Sequence, residues 1–210
     1  MKHSFEYCAL RYLLLWETEE RELHAMMINH PSPLSLRKSM QHFRIARSFK
    51  GVADERNATF ILDAVTSVTH QKNSSPREAV MSLAAQFQKR FGKFNLSAAS
   101  KLLWLTFRSP YVIYDARAVA ALRLLGWEFD NKDYAKYYEA WHSQYQQHKL
   151  EIEQAAERLT KFQPFFGAWH DFEDSLRTTT SQPWFLERVF DNYLWELGDD
   201  AQQIVKPERT

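Results

Sequence analysis

Apolar positions recur at helical spacing along most of the chain. Phe60, Ile61, Ala64, Val65 and Val68 form one stripe, and Val80, Leu83, Ala84, Phe87 and Phe91 form the next. Tyr134, Tyr137, Tyr138, Trp141, Tyr145, Ile152, Ala155, Ala156 and Leu159 make a longer one, and Leu186, Val189, Phe190, Tyr193, Leu194 and Leu197 close the series. A step of three and four residues lines one face of a helix, so each stripe predicts an amphipathic helix with that face buried.

Start and stop residues divide these stripes. A first helix is expected from Phe5 to Asn29, ended by His30-Pro31-Ser32-Pro33. A basic helix follows from Ser35 to Phe49, with a break at Gly51, and Asn57 is the expected cap of the next helix. Ser75-Pro76-Arg77-Glu78 reads as a capping box with proline in the first turn, and Gly92 stands where a C-cap glycine belongs. Ser97 is expected to cap a short helix to Phe107, which Ser109-Pro110 stops. Asp115 caps Ala116–Leu125, closed by Gly126. Asn131 to Leu159 reads as one long helix, Phe162 to Thr180 as irregular and aromatic, and Pro183 to Leu197 as the last helix. The polar tail after Gly198 is expected to fray. The fold class is therefore all-α, with about eight helices. Only 5 glycines in 210 residues agree with it, since all-β folds need many tight turns.

The single cysteine, Cys8, allows no intrachain disulfide and no four-cysteine iron–sulfur cluster. No apolar run is long enough to span a membrane, and Tyr12–Trp16 is too short for a secretory segment, so the cytoplasm is the expected location. The eight histidines show no metal-ligand spacing, so neither a metal nor a cofactor is expected. No Walker loop, dinucleotide glycine motif, HExxH or GxSxG occurs.

Net charge is only +1, but the charges are segregated. From Ala79 to Tyr114 there is no acid, while Lys89, Arg90, Lys93, Lys101 and Arg108 lie there. Leu36–Lys50 is also acid-free and holds Arg37, Lys38, Arg44, Arg47 and Lys50. Acids gather late in the chain, at Glu187, Asp191, Glu196, Asp199 and Asp200. Such segregation predicts one basic face on a nearly neutral protein.

One segment carries candidate chemistry. Ser97-Ala-Ala-Ser100-Lys101-Leu-Leu-Trp104-Leu-Thr-Phe-Arg108-Ser-Pro-Tyr-Val-Ile-Tyr114-Asp115-Ala-Arg117 places a lysine at a helix start and an aspartate at the next. It resembles the active-site segment of the helix-hairpin-helix DNA glycosylases, above all the 8-oxoguanine-type branch and its small bacterial relatives. The match covers about 30 residues of the hairpin pattern. Ser97-Ala98-Ala99-Ser100 stands where that family carries glycines, and the stretch from Lys101 to Asp115 is shorter than is usual there.

The resemblance implies a two-lobed fold. A hairpin lobe would span 57–126, and a second lobe would join 1–56 to 127–210. Lys101 would attack the sugar and Asp115 would assist. Lys93, Ser97, Ser100 and Arg108 would bind DNA, and Trp169, His170 and Asp171 would wall a pocket for the flipped base. The partner would be double-stranded DNA containing a modified base, bound by a monomer. That base is 8-oxoguanine or another oxidised purine, or a hypermodified phage cytosine such as glucosylated 5-hydroxymethylcytosine. The chemistry suits these residue types: leaving of the base builds positive charge on the sugar, which a carboxylate stabilises, and a neutral amine can displace the base. Two other readings stay open: a non-catalytic helix-hairpin-helix DNA-binding module, and an all-α protein-interaction domain.

Overall fold

The computed structural model describes residues 4–49, 51, 54–69, 75–161 and 172–205. Every regular element among them is helical, and the protein is all-α. The order is α1 (Phe5–Leu15), a π-helical stretch (Trp16–Glu20), α2 (Arg21–Asn29), α3 (Pro33–His42), a 3₁₀ turn (Ala46–Ser48), α4 (Glu55–Thr69), α5 (Pro76–Phe91), α6 (Leu96–Phe107), α7 (Ala116–Leu124), α8 (Tyr134–Arg158), α9 (Phe172–Thr180) and α10 (Pro183–Val205). No helix among the described residues is long and apolar enough to cross a membrane.

The chain divides into two compact units, one of residues 18–114 and one joining 1–17 to 115–210. The expected boundaries at 57 and 126 differ from these for a packing reason. Helices α2 and α3 pack against α6, and α3 against α4, so residues 18–56 share a core with the hairpin helices. Helix α7 packs along α10, so it belongs with the C-terminal helices.

In the 18–114 unit, Leu36, Met40, Ile61, Leu83, Phe87 and Leu102 are fully buried. Each such side chain stabilises the fold by roughly 2 kcal/mol relative to exposure. Two polar ties fasten the helices. His24 on α2, itself buried, donates through Nδ1 to the Leu105 carbonyl (2.5 Å), one of the last-turn carbonyls of α6 that lack a helical partner. Desolvation lowers the His24 pKa, partly offset by this hydrogen bond, and the nearby Arg108 charge lowers it further. His42 at the end of α3 bonds Glu19 (2.8 Å) and the fully buried Glu20 (3.2 Å). Burial opposes the imidazolium, but these carboxylates outweigh it and raise the pKa.

Several helix starts differ from expectation. The first helix runs through a π-helical stretch rather than one regular α-helix. Helix α3 begins two residues early, because Ser32 and Ser35 form a reciprocal capping box and Pro33 takes the first helical position. It ends at His42, since Arg44 turns left-handed (φ 55°). Helix α4 starts at Glu55, before Asn57, with Asp54 accepting from the Arg56 N–H (2.8 Å). Asn57 instead donates to the Gly51 carbonyl and accepts from Arg90. The capping box at Ser75 and the left-handed Gly92 (φ 72°) are as expected.

The unit joining 1–17 to 115–210 is built on aromatics. Tyr12, Tyr134, Tyr137, Trp141, Phe185 and Phe190 are fully buried. Trp141 stacks on Tyr145 (5.1 Å, 21°) and meets Phe190 edge-on (5.2 Å, 77°). Helix α8 starts at Tyr134 behind an Asp133 cap and runs unbroken. Part of the stretch expected to be irregular, Phe172–Thr180, is helical, while 162–171 lies outside the described residues.

Helix α10 continues through Val205, and Gly198 lies inside it. A glycine costs helix stability relative to alanine, yet the site demands one. A Cβ there would collide with the Arg117 carbonyl oxygen of α7. The two helices touch backbone to backbone, and Arg117 fixes the crossing by pairing with Asp199 (2.8 Å) and stacking over Trp195 (3.8 Å). Gly198→Ala is expected to destabilise the protein by about 3 kcal/mol, because backbone must move to admit the methyl. Urea unfolding tests this; a variant as stable as the parent, or more so, would show that the crossing is not this tight.

Candidate functional site

Helices α5 and α6 form the hairpin. Gly92 ends α5, three residues follow, and Asn95 caps α6 by accepting from the Ala98 N–H (3.0 Å). The cap is thus Asn95 and not Ser97, because Asn95 already stands in the capping conformation two residues earlier. Ser97 is the second residue of the helix, half-buried in its first turn. Lys101 is the sixth, in the second turn. Lys101 therefore stands past the helix start where the sequence placed it, and the field of the helix end, which fades within the first turn, does not act on it. Lys101 is half-buried, and its neighbours Leu102, Leu103 and Trp104 are closed to solvent.

Ser100 is fully buried. Its hydroxyl accepts from the Tyr114 N–H (2.9 Å) and donates to the Ser97 carbonyl (3.3 Å). Expected at a phosphate, it is instead an internal strut, because the returning chain covers it. That chain leaves α6 through Arg108, whose φ of 58° and ψ of −136° are unusual for any residue but glycine. The Tyr111 N–H then bonds the Arg108 carbonyl (3.0 Å) across a turn containing the cis Ser109–Pro110 peptide. Val112 and Ile113 are buried, and Tyr114 is pinned at Ser100. The segment between lysine and aspartate is a fixed strap, so its length is set by the reach back to α6. Lys93 is exposed in the hairpin turn and Arg108 is half-buried at the far end of α6. They stand at opposite ends of that helix.

Asp115 belongs to the other unit and caps α7, accepting from the Arg117 N–H (3.0 Å). Asp191 on α10 lies in the same unit and feels its charge. Asp191 is buried, accepts from the Trp141 indole (2.8 Å), and is paired with Arg188 (3.4 Å). In sequence Asp191 is one more acid of an acidic helix; only its burial distinguishes it. Trp169, His170 and Asp171 lie outside the described residues. A cavity of about 350 Å³ is lined in part by Glu153, Glu157, Thr160 and Arg177. Among the described residues, no cluster of three His, Cys, Asp or Glu could hold a metal ion.

The unit boundary also separates charge. Residues 18–114 carry 14 Lys and Arg against 7 Asp and Glu, a net +7. The remainder carries 13 against 19, a net −6. No protein-family model, curated protein or solved structure matches this chain. The geometry and charge of the two units therefore carry the functional argument.

Burial raises the Asp191 carboxyl to about 6; Arg188 and the Trp141 hydrogen bond pull it down, and Asp115 adds to the rise. The fold thus favours the protonated form. This group's stabilising contribution is full below the unfolded value of about 4 and is lost as pH rises through 6. Replacing Asp191 with Asn should remove it, so the stability difference between parent and Asp191→Asn should change by about 2 kcal/mol between pH 7 and pH 4. Chemical unfolding at stepped pH measures it, and parallel pH profiles would refute the assignment.

Proposed function

We propose that the chain is a DNA N-glycosylase that flips a modified base out of duplex DNA and cuts it from its sugar, leaving an abasic site. The observation that carries this reading is the α5–α6 hairpin inside a unit of net charge +7. It holds Lys93 in its turn and Lys101 in its second helix, and a strap leads from that helix straight to the cap residue Asp115. Hairpin, lysine, strap and aspartate follow one another as in the family the sequence resembles.

The roles divide by chemistry. Lys93, Arg108 and the first-turn N–H of Ser97 hold phosphates, through charge and through the positive end of α6. The Asp115 carboxyl group stabilises the positive charge that grows on the sugar as the base departs. The Lys101 amine displaces the base at C1′, the base leaving with the electrons of its C1′–N bond, and opening of the sugar ring then gives a Schiff base. The bases in question are oxidised purines such as 8-oxoguanine, or a glucosylated 5-hydroxymethylcytosine of phage DNA met in antiviral defence.

The position of Lys101 beyond the first turn favours one rival, a non-catalytic DNA-binding module in which that lysine only anchors phosphate. Incubation with duplexes bearing each modified base, followed by an assay for abasic sites, separates the two. Abasic sites from one base class support the glycosylase. Tight binding with no abasic sites on any duplex supports the module.

A further inference from the structure

The basic residues of α3 and the turn after it take no part in the hairpin. From Leu23 to Ala53 the chain carries no Asp or Glu. Within this stretch Arg37, Lys38, Arg44 and Arg47 are all exposed. None of the four side chains is engaged in an ion pair or hydrogen bond among the described residues. The inner face of α3 is fixed, since Ser35, Leu36, Ser39 and Met40 are buried, so the outer face cannot roll inward. At the end of the helix, His42 bonds Glu19 and Glu20.

Arg44 sharpens the picture. It follows α3 in a left-handed conformation (φ 55°), and the Ile45 N–H reaches back to the Met40 carbonyl (2.9 Å). This is the closing geometry in which glycine is favoured, because a Cβ there is strained. The chain instead presents a guanidinium at that corner.

We propose that Arg37, Lys38, Arg44 and Arg47 form a second phosphate-binding strip, separate from the α5–α6 hairpin, that grips the backbone of duplex DNA. Five helical steps from Arg37 to the helix end at His42 span roughly 7.5 Å, and Arg44 and Arg47 follow just beyond that end. A DNA strand offers a phosphate about every 3.4 Å of axis, so the helical part of the strip alone covers about two. Guanidinium groups match phosphate in a two-pronged geometry that an ammonium cannot supply. An anionic membrane is the weaker partner, because a helix that lies in a bilayer surface must turn its apolar face outward, and that of α3 is buried. The strip needs DNA binding but not base excision, so it goes beyond the glycosylase reading.

The test uses the full chain and a labelled, unmodified duplex, with affinity measured across salt concentrations. Parent protein is compared with Arg44→Gly alone and with a variant carrying Arg37→Gln, Lys38→Gln, Arg44→Gly and Arg47→Gln. The fourfold variant should bind with a log–log salt slope shallower by about 0.9 for each phosphate it no longer neutralises. Arg44→Gly should bind more weakly while its melting temperature stays level or rises, since glycine relieves the backbone. An unchanged slope and affinity overturns the proposal. So does parent protein that binds anionic phosphatidylserine vesicles but no duplex. A shallower slope without excision of any modified base leaves the strip standing and sinks the glycosylase. Excision with an unaltered slope does the reverse.

Discussion

Asp115→Asn is expected to keep the fold and lose base excision by about 100- to 1,000-fold or more, the range seen when a group stabilising transition-state charge is removed. Asparagine caps a helix nearly as well as aspartate, and its side-chain oxygen can still accept from the Arg117 N–H. Helix α7 and its crossing with α10 should therefore survive, as circular dichroism and unfolding would report. What disappears is the negative charge. The same substitution should draw the Asp191 titration downward, because Asp115 contributes to raising it. Single-turnover excision gives the rate. A variant within a few-fold of the parent would reduce Asp115 to a cap.

Lys101→Gln is expected to abolish both covalent trapping and most excision. If the Lys101 amine attacks C1′, the C1′–N bond to the base breaks as the new C–N bond forms, and ring opening gives an imine. Borohydride reduces that imine to a stable amine, which links protein to DNA and is visible as a shifted band on a denaturing gel. The glutamine variant should show no such band while losing less than about 1 kcal/mol of stability, as for a side chain outside the core. Excision that persists in the variant, with no adduct formed by the parent, would instead place the attack with a water molecule activated by Asp115.

The helices themselves were legible because their signals are local. Ser75 with Glu78, Gly92 and Asp115 act on backbone groups within three or four residues, and all perform as the sequence predicts. The misplaced starts are also local in cause. Asn95 caps α6 two residues ahead of Ser97, and Ser32 caps α3 so that it starts two residues ahead of Ser35; spacing alone does not choose between neighbouring cap residues.

What the sequence determined by itself is the all-α class, the helix order, and the segregation of charge, since periodicity, caps and counts need no knowledge of distant partners. Tertiary structure alone decided the rest. Gly198 reads as a helix end in sequence, but the approach of the Arg117 carbonyl makes it the middle of one. Ser100 reads as a phosphate ligand, but the returning chain at Tyr114 claims its hydroxyl. Asp191 reads as one of several acids late in the chain, but it is buried and accepts from the Trp141 indole, fifty residues away. In each case the deciding neighbour is far along the chain, and the free energy of burying or crowding a group depends on that neighbour.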